Sequence, residues 1–289
     1  MSAIFKREFK SYFTNMSGVL FISVLLLFTG IFVTAVNLLG QYAAFEYALE
    51  NVIVVFLLVV PILAMKSIAD DKRAKTDALL FSLPIRLSAI VMGKYFAMLA
   101  VFMLPVAIMA LYPLILSQFG SGAVHFVSAY ASLFGFVLLG AALMAICMFM
   151  SSLTESQVIA AVTGFACVLI LYFAKPLASM IPSTPYVSLI CFLTLEVFVS
   201  LLVYHLTKNI RVSVILGIVF MVLTGALYIL EASIFEGSLS IILSSLALFD
   251  RFYNFTYGIF NLKDVIFYVS FIVFFVFLTV KSLEKKRWA

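Results

Sequence analysis

Residues 65–86, "MKSIADDKRAKTDALLFSLPIR", form a charged segment between two long apolar runs. The segment holds eight charged residues, in a chain that has only 18 Lys and Arg and 13 Asp and Glu. The 289 residues are 65% hydrophobic and 11% charged, whereas a soluble domain has about 25% charged residues. The flanking runs are long enough to cross a bilayer, which takes about 20 apolar residues as a helix. The pattern predicts an all-α polytopic membrane protein with this charged segment outside the bilayer.

The apolar runs continue along the chain, and we predict about eight transmembrane helices in a single domain that covers residues 1–289. Each run is nearly free of charge over the length that a membrane-spanning helix needs. The predicted spans are 18–39, 47–65, 89–116, 126–150, 156–174, 186–206, 211–231 and 264–283.

The basic residues predict the orientation of these spans. Lys and Arg are retained in cytoplasmic loops, and an even number of spans places both termini on one side. With both termini in the cytoplasm, 15 of the 18 basic residues lie inside, and the exceptions are Lys175, Arg251 and Lys263. We therefore read the net charge of +5 as a topology signal and expect contact with membrane lipids and none with nucleic acid.

The N-terminal segment 1–16 contains "AIFKREFKSYF" (residues 3–13), in which apolar and aromatic residues recur at helical spacing. Lys6, Arg7 and Lys10 fall mostly on the other side of such a helix. This pattern predicts an amphipathic helix that lies along the membrane surface before the first span.

Residues 232–263 form the longest predicted connection on the non-cytoplasmic side. Its middle part, "SLSIILSSLALF" (residues 238–249), is too short to span and predicts a re-entrant or surface-lying helix. The aromatic residues that follow suit the membrane interface, where aromatic side chains are enriched. They are Phe249, Phe252, Tyr253, Phe255, Tyr257 and Phe260.

The sequence contains no pattern for a catalytic or metal site. No Gly-x-x-x-x-Gly-Lys-Ser/Thr loop is present, so this chain is not expected to bind ATP through a P-loop. His125 and His205 are predicted at or near opposite membrane faces, and the three cysteines fall inside apolar runs. We therefore expect no enzyme activity, no metal and no cofactor in this chain.

One acidic residue, Glu196, lies near the middle of a predicted span in "CFLTLEVFVSLLVYH" (residues 191–205). A carboxylate in a membrane is costly and is a functional candidate by default. One interpretation is a protonated side chain that hydrogen-bonds a neighbouring helix, which the absence of a basic residue in mid-span favours. The alternative is a proton relay.

The charged segment is more patterned than a plain loop. Ser67-Ile-Ala-Asp70 resembles a capping box that would start a short helix, and Leu79, Leu80 and Leu83 offer an apolar stripe before Pro84 ends it. Such a helix would fit against a soluble partner. A solvated loop whose basic residues only set the topology is equally compatible with the composition.

Three stretches are similar to the permease subunit of type-2 ABC exporters, especially the gliding-motility and multidrug branch. They are "IFKREFKSYFTN" (4–15), "PILAMKSIADDKRAKTDALLFSLPIRLSAIVMGKYFA" (61–97) and the C-terminal stretch "FDRFYNFTYGIFNLKDVIFYVSFIVFFVFLTVKSLEKKRW" (249–288), which closes on "LEKKRW" (283–288). The chain departs from the family pattern at Lys75, where a glycine usually precedes the residue equivalent to Thr76. One extra residue also separates Ser82 from Pro84. The resemblance covers roughly residues 1–175 and 240–289, and it implies a six-span core with two additional spans, 186–206 and 211–231.

The resemblance implies that residues 66–88 form a cytoplasmic coupling helix that docks on a separate ABC ATPase subunit. That partner would bind ATP and Mg, and a second permease copy or a related permease would complete the exporter in the bacterial cytoplasmic membrane. The turn "SSLTESQ" (151–157) would supply a second contact. The implied interface residues are Asp70, Asp71, Lys72, Arg73, Lys75, Thr76, Leu79, Leu80 and Glu155.

Two other functions stay open at this point. One is a stand-alone secondary transporter that uses Glu196 for proton coupling, although the sequence shows no inverted repeat. The other is a non-transporting membrane anchor that recruits soluble proteins through residues 66–88.

Overall fold

The structure, a computed structural model, describes residues 2–76, 86–119, 125–207 and 210–288. Within these ranges the regular secondary structure is helical, and no strand occurs. The α-helices are α1 (Ser2–Thr14), α2 (Ser17–Phe32), α3 (Phe45–Val52), α4 (Phe56–Ala64), α5 (Ala69–Arg73), α6 (Leu87–Met109), α7 (Tyr112–Phe119), α8 (Phe126–Leu153), α9 (Gln157–Met180), α10 (Pro185–Thr207), α11 (Ile210–Leu230), α12 (Ser238–Ser245), α13 (Leu248–Thr256) and α14 (Leu262–Trp288). A π-helical turn, Val33–Leu39, extends α2, and 3₁₀ turns occur at Ile53–Val55 and Ala232–Phe235.

Seven stretches of the described chain are long and apolar enough to cross a membrane. They are Ser17–Leu39, Phe45–Arg73, Leu87–Gln118, Phe126–Leu153, Gln157–Met180, Ser213–Leu230 and Leu262–Lys285. They match seven predicted spans and confirm a polytopic all-α membrane protein. The remaining prediction, 186–206, falls on α10, whose apolar stretch Pro185–Leu201 is shorter than the others.

By its internal contacts the chain divides into two compact units. Unit 1 consists of Met1–Ile170 and Leu248–Ala289, and unit 2 consists of Leu171–Ala247. The predicted re-entrant segment is divided between them, because its helix breaks between α12 and α13.

Helix α8 is the centre of unit 1 and packs against α4, α6, α13 and α14. Glycines on α8 allow two aromatic rings to approach its backbone closely. A Cβ atom on Gly140 would lie 2.5 Å from Cζ of Phe102, and one on Gly135 would lie 2.8 Å from Cγ of Phe255. Small residues at helix contacts are a common means of close packing in membrane proteins, and here they seat aromatic side chains.

Buried phenylalanines from five elements fill the interior beside α8. The ring centroids of Phe56 and Phe136 are 4.5 Å apart, and Phe102 lies 5.8 Å from Phe56 and 6.0 Å from Phe136. Phe21 and Phe252 extend the cluster, at 6.1 Å from Phe102 and 6.4 Å from Phe136. Tilted and edge-on pairs at such distances add about 0.5–1.5 kcal/mol each beyond simple burial.

Three of the aromatic residues predicted at the membrane interface belong to the protein core instead. Phe249, Phe252 and Phe255 are at most 3% exposed and lie on α13. That helix presents one strongly apolar side to α8. Tyr257 and Phe260 are exposed. The prediction for the three phenylalanines was wrong because composition does not tell a lipid-facing aromatic side chain from one that faces another helix.

The start of α14 is joined to α13 by a buried acidic residue. Asp264, 2% exposed, accepts hydrogen bonds of 2.8 Å from Nη1 of Arg251 and 2.8 Å from Nδ2 of Asn254. The guanidinium of Arg251 also lies 3.8 Å from the ring centre of Phe267. A buried carboxylate needs such partners, so this group holds the connection between the two helices.

In unit 2, helices α10 and α11 form a packed pair. The hydroxyl of Ser200 donates to the carbonyl oxygen of Ser213 at 2.9 Å, and a Cβ atom on Gly217 would meet Oγ of Ser200 at 3.0 Å. Polar contacts between membrane helices are worth roughly 0.6 kcal/mol each on average. They set the register of this pair more than its stability.

Candidate functional site

The short helix α5 lies in the charged segment, and a serine from α8 caps its start. The hydroxyl of Ser151 accepts hydrogen bonds from the backbone amides of Ile68 (3.3 Å) and Ala69 (3.0 Å), and it donates to the carbonyl oxygen of Met65 (3.1 Å). One buried side chain therefore satisfies backbone groups at the end of α4 and the start of α5, which would otherwise lack partners.

The predicted capping box at Ser67 does not form. The helix begins at Ala69 with no side-chain cap from its own segment. The Ser67 hydroxyl is buried without a hydrogen-bond partner among the described residues. Its carbonyl oxygen instead accepts a hydrogen bond of 2.7 Å from Nζ of Lys94. The capping-box pattern gave the wrong cap for α5, because Ser151, more than 80 residues away, accepts the hydrogen bonds from the start of the helix.

Lys94 ties three helices together at this end of unit 1. Its Nζ lies 2.6 Å from Oδ2 of Asp71 on α5 and 3.1 Å from Oε1 of Glu8 on α1, while Lys94 itself is on α6. Lys94 is only 4% exposed. A buried ammonium is tolerated only when it is paired and hydrogen-bonded, and here two carboxylates and a carbonyl oxygen surround it. We call Glu8, Asp71 and Lys94 the ionic cluster.

Two further bonds hold α5 against the end of α8 and the start of α9. Lys72 is 4% exposed and its Nζ donates to the carbonyl oxygen of Ser152, while Nε2 of Gln157 donates to Oδ1 of Asp70. The turn that contains Glu155 is therefore held beside α5. These contacts bring together the two segments that the sequence predicted as cytoplasmic contacts, 66–88 and 151–157.

The departure from the family pattern at Lys75 has a clear structural counterpart. Lys75 has φ of 54°, the left-handed conformation that favours glycine. The amide of Thr76 donates to the carbonyl oxygen of Asp71 at 2.9 Å, and that of Lys75 donates to Lys72 at 3.1 Å. This pair of bonds is the Schellman motif that ends many helices. The chain therefore keeps the turn that a glycine would make, with a lysine in its place.

The predicted interface residues differ sharply in exposure. Arg73, Lys75 and Glu155 are exposed, and Asp70, Asp71 and Thr76 are half-buried. Lys72 is buried, so it holds α5 in place and does not present its charge at the surface. Leu79 and Leu80 lie outside the described residues.

The surroundings of the N-terminal helix raise the pKa values of two of its side chains. The hydrogen bond to Glu8 raises the pKa of Arg7 above its usual value. Burial raises the pKa of Tyr12. Both shifts are away from neutral pH, where Arg7 is a cation and Tyr12 a neutral hydroxyl even at their ordinary pKa values.

Glu196 lies in unit 2, and its side chain accepts a hydrogen bond from the neighbouring helix. The hydroxyl of Thr224 on α11 donates to its Oε1, and its Oε2 has no partner among the described residues. No group of three or more His, Cys, Asp or Glu side chains that could hold a metal is found in the described part of the chain.

Sequence analysis missed the parts of this site that come from distant segments. Glu8 and Ser151 were not singled out, and Lys94 was noted only as part of a motif. One signal was available for Lys94, because it is the only charged residue in the predicted span 89–116 and a charge there needs a partner. Nothing in the sequence identified the partner as Glu8.

A family comparison covers the part of the chain that contains these residues. The family model described as ABC-2 family transporter protein matches residues 3–210, which is more than half of the chain and includes the ionic cluster and both predicted cytoplasmic contacts. Neither the curated proteins nor the solved structures contain a match to the chain.

Proposed function

Because this chain belongs to the ABC-2 family of transporter membrane proteins, we propose that it is the permease subunit of an ATP-driven exporter. A separate ABC ATPase subunit would hydrolyse ATP, and helix rearrangement in this chain would move the substrate. One observation carries the proposal. Helix α5 and the turn after it expose Arg73 and Lys75, while Asp71 and Lys72 join the helix to the ends of α6 and α8.

The contacts of α5 provide a path for force. The bonds of Asp71 to Lys94, of Lys72 to Ser152 and of Ser151 to the backbone leave α5 little freedom to move alone. A partner that pushes on its exposed side would therefore also displace the ends of α4, α6 and α8. Motion of whole packed helices is a common way to open and close a transport path.

The arrangement of unit 1 supports the proposed orientation. Helix α1, helix α5 and the turn after α8 meet at one end of the unit. Helix α14 arrives at the same end near its C-terminus, where the hydroxyl of Ser282 lies 3.5 Å from the carbonyl oxygen of Ser152. The positive-inside rule supports placing this end in the cytoplasm, so both termini would face the cytoplasm of a bacterium.

The complete exporter would contain two ATPase subunits, which bind ATP and Mg, and a second permease chain. The C-terminal sequence "LEKKRW" and the acidic and basic pairs at residues 70–73 support placement in the gliding-motility and multidrug branch. The permease itself would contribute no catalytic group, since its work is conformational.

The test is complex formation between this chain and the ABC ATPase subunit of its own transporter. We expect R73A/K75A to weaken the complex about tenfold, because two exposed charges at an interface contribute up to about 1 kcal/mol each. The matched control, K6A/K10A, removes two exposed lysines from α1 and should bind normally. E155A tests the second contact separately.

The readouts are the affinity of the purified proteins and ATP-dependent transport in liposomes. Asp71 and Lys72 are unsuitable for this experiment, because their loss would disturb the fold of unit 1 as well as any partner contact. An equal loss of affinity for the ATPase in R73A/K75A and K6A/K10A would show a general charge effect and contradict docking at α5. An ATPase that binds without driving any transport would favour the membrane anchor.

Proton coupling through Glu196 makes a different prediction. In a proton-coupled transporter, E196Q would abolish transport and T224V would shift its pH dependence, since Thr224 is the hydrogen-bond partner. We expect both variants to retain ATP-dependent transport. Transport that needs a proton gradient but no ATPase would refute the exporter proposal.

A further inference from the structure

A polar cavity of about 180 Å³ lies where the N-terminal helix, the start of α2 and helix α5 meet. Its lining includes Arg7 and Glu8 from α1, Ser17 from α2, and Lys66 and Asp70 from the charged segment. Sites for whole drug-sized ligands are larger, about 300–1,000 Å³. The size suits a small charged group, such as the headgroup of a larger molecule.

One side chain in the cavity lacks the partner that its burial demands. Ser17 is 7% exposed, and its Oγ has no hydrogen-bond partner among the described residues. It is the first residue of α2, and the preceding Met16 supplies no side-chain cap. Buried hydroxyl groups are nearly always hydrogen-bonded, and the start of a helix favours a negative group. Both features point to a missing acceptor, such as a phosphate oxygen.

The charges of the lining have both signs. Arg7 and Lys66 are cationic. Arg7 already pairs with Oε1 of Glu8, whereas Lys66 has no ion pair or hydrogen bond with any other described residue. Glu8, Asp70 and Asp71 are acidic and border the same space, although Asp71 is already paired with Lys94. A purely anionic ligand would meet these carboxylates unfavourably, and a simple cation would meet Arg7 and Lys66. A zwitterion can place each of its charges against the opposite one.

The environment of the cavity favours a lipid over a dissolved metabolite. Phe5, Phe9 and Phe13 form a row along α1, with ring centroids 6.0 and 5.2 Å apart, and all three are half-buried. Ile4 and Tyr12 are buried, as α1 packs on α6. A helix with an aromatic row and exposed lysines lies at the boundary between headgroups and acyl chains, where phospholipid is the most abundant zwitterion.

We propose that this cavity binds the headgroup of an amine-bearing zwitterionic phospholipid. Arg7, Lys66 and the Ser17 hydroxyl bind the phosphate, and Glu8 and Asp70 bind the ammonium group. Glu8 lies on α1 and Asp70 lies on α5. A headgroup bound to both therefore joins the N-terminal helix to the charged segment. The site depends on unit 1 alone and not on the exporter proposal.

The test uses the full purified chain without any ATPase, so its result is independent of the proposed function. Binding of phosphatidylethanolamine is measured by native mass spectrometry and by the shift in melting temperature, with phosphatidylglycerol as the anionic comparison. We expect saturable binding of phosphatidylethanolamine, weaker binding of phosphatidylglycerol, and competition by soluble phosphoethanolamine.

Three variants separate the site from general effects. K66Q should weaken phosphatidylethanolamine binding about tenfold, the usual effect of losing one charge-assisted hydrogen bond. S17A should also weaken it, yet leave the lipid-free melting temperature unchanged or higher, because it removes an unpartnered buried hydroxyl. K10Q, on the same helix but outside the cavity, should bind as the wild type does. Equal binding of both lipids, or equal effects of K66Q and K10Q, would overturn the proposal.

Discussion

Replacing Lys94 by methionine is expected to destabilise unit 1 strongly, although the substitution preserves most of the side-chain volume. The ammonium group is 4% exposed and contacts Asp71, Glu8 and the carbonyl oxygen of Ser67 at 2.6, 3.1 and 2.7 Å. Methionine would leave Asp71 without its cation, whereas Glu8 would keep its ion pair with Arg7.

The magnitude follows from the burial of the partners. Breaking a buried ion pair by removing one member costs about 3–5 kcal/mol. The side chains of Asp71 and Glu8 are 21% and 13% exposed, so water or protonation would relieve part of this penalty. We therefore expect a loss of about 3 kcal/mol, or roughly 6–12 °C in melting temperature for a chain of this size.

The triple variant K94M/E8Q/D71N tests whether the charges cause the loss. Uncharged amides need no counter-charge. Replacing a whole buried ion cluster by uncharged groups often changes the free energy of unfolding little. We expect this variant to recover most of the stability that K94M loses. The matched control is K281M, which breaks an exposed pair with Glu284 whose side chains are 55% and 39% exposed, and it should shift the melting temperature by less than about 3 °C.

Unfolding can be followed through the buried thiol of Cys147, which is 2% exposed. In a C167S/C191S background it is the one remaining cysteine of the chain, so a thiol-reactive dye reports the opening of α8 directly. A K94M shift no larger than that of K281M would refute the reasoning. So would a triple variant that is as unstable as K94M alone.

Two further substitutions test the packing of α8 and the turn after α5, by the same thiol assay. G140A should lower the free energy of unfolding by about 1–3 kcal/mol, because the added Cβ would lie 2.5 Å from Cζ of Phe102. The control is G225A, where nothing lies within 4 Å of the added Cβ. Equal effects of the two substitutions would contradict the close packing at Gly140. K75G should stabilise the chain by about 0.5–1 kcal/mol, since Lys75 pays a steric cost in the left-handed conformation that glycine avoids, and a loss of stability would show that its side chain makes a compensating contact.

The spans were predictable because the bilayer requires the same property of every residue that crosses it. The first predicted span, 18–39, corresponds to Ser17–Leu39, and the fourth, 126–150, corresponds to Phe126–Leu153. Neither depends on what lies beside it. The helix predicted within residues 1–16 is present as α1, Ser2–Thr14, because its apolar and aromatic residues recur at helical spacing.

The candidate site was predicted only in outline. The charged segment and the 151–157 turn were both marked as cytoplasmic contacts, and the structure brings them together through Asp70 and Gln157. Which charges are exposed was not predictable. Lys72 and Arg73 are adjacent in the sequence, yet one is buried against Ser152 and the other is exposed, because helix α5 turns them to different sides.

The sequence by itself determined the class of this protein, the extent of most of its membrane helices and the position of its polar segment. These properties are set by local composition against a fixed solvent thickness. Tertiary structure alone decided that Glu8 and Asp71 share Lys94, that Ser151 caps α5 and that Phe255 belongs to the core. A buried charge or hydroxyl takes its partner from whichever helix packs beside it, and for Glu8 with Lys94 and for Ser151 with Ala69 that partner lies more than 80 residues away in the chain.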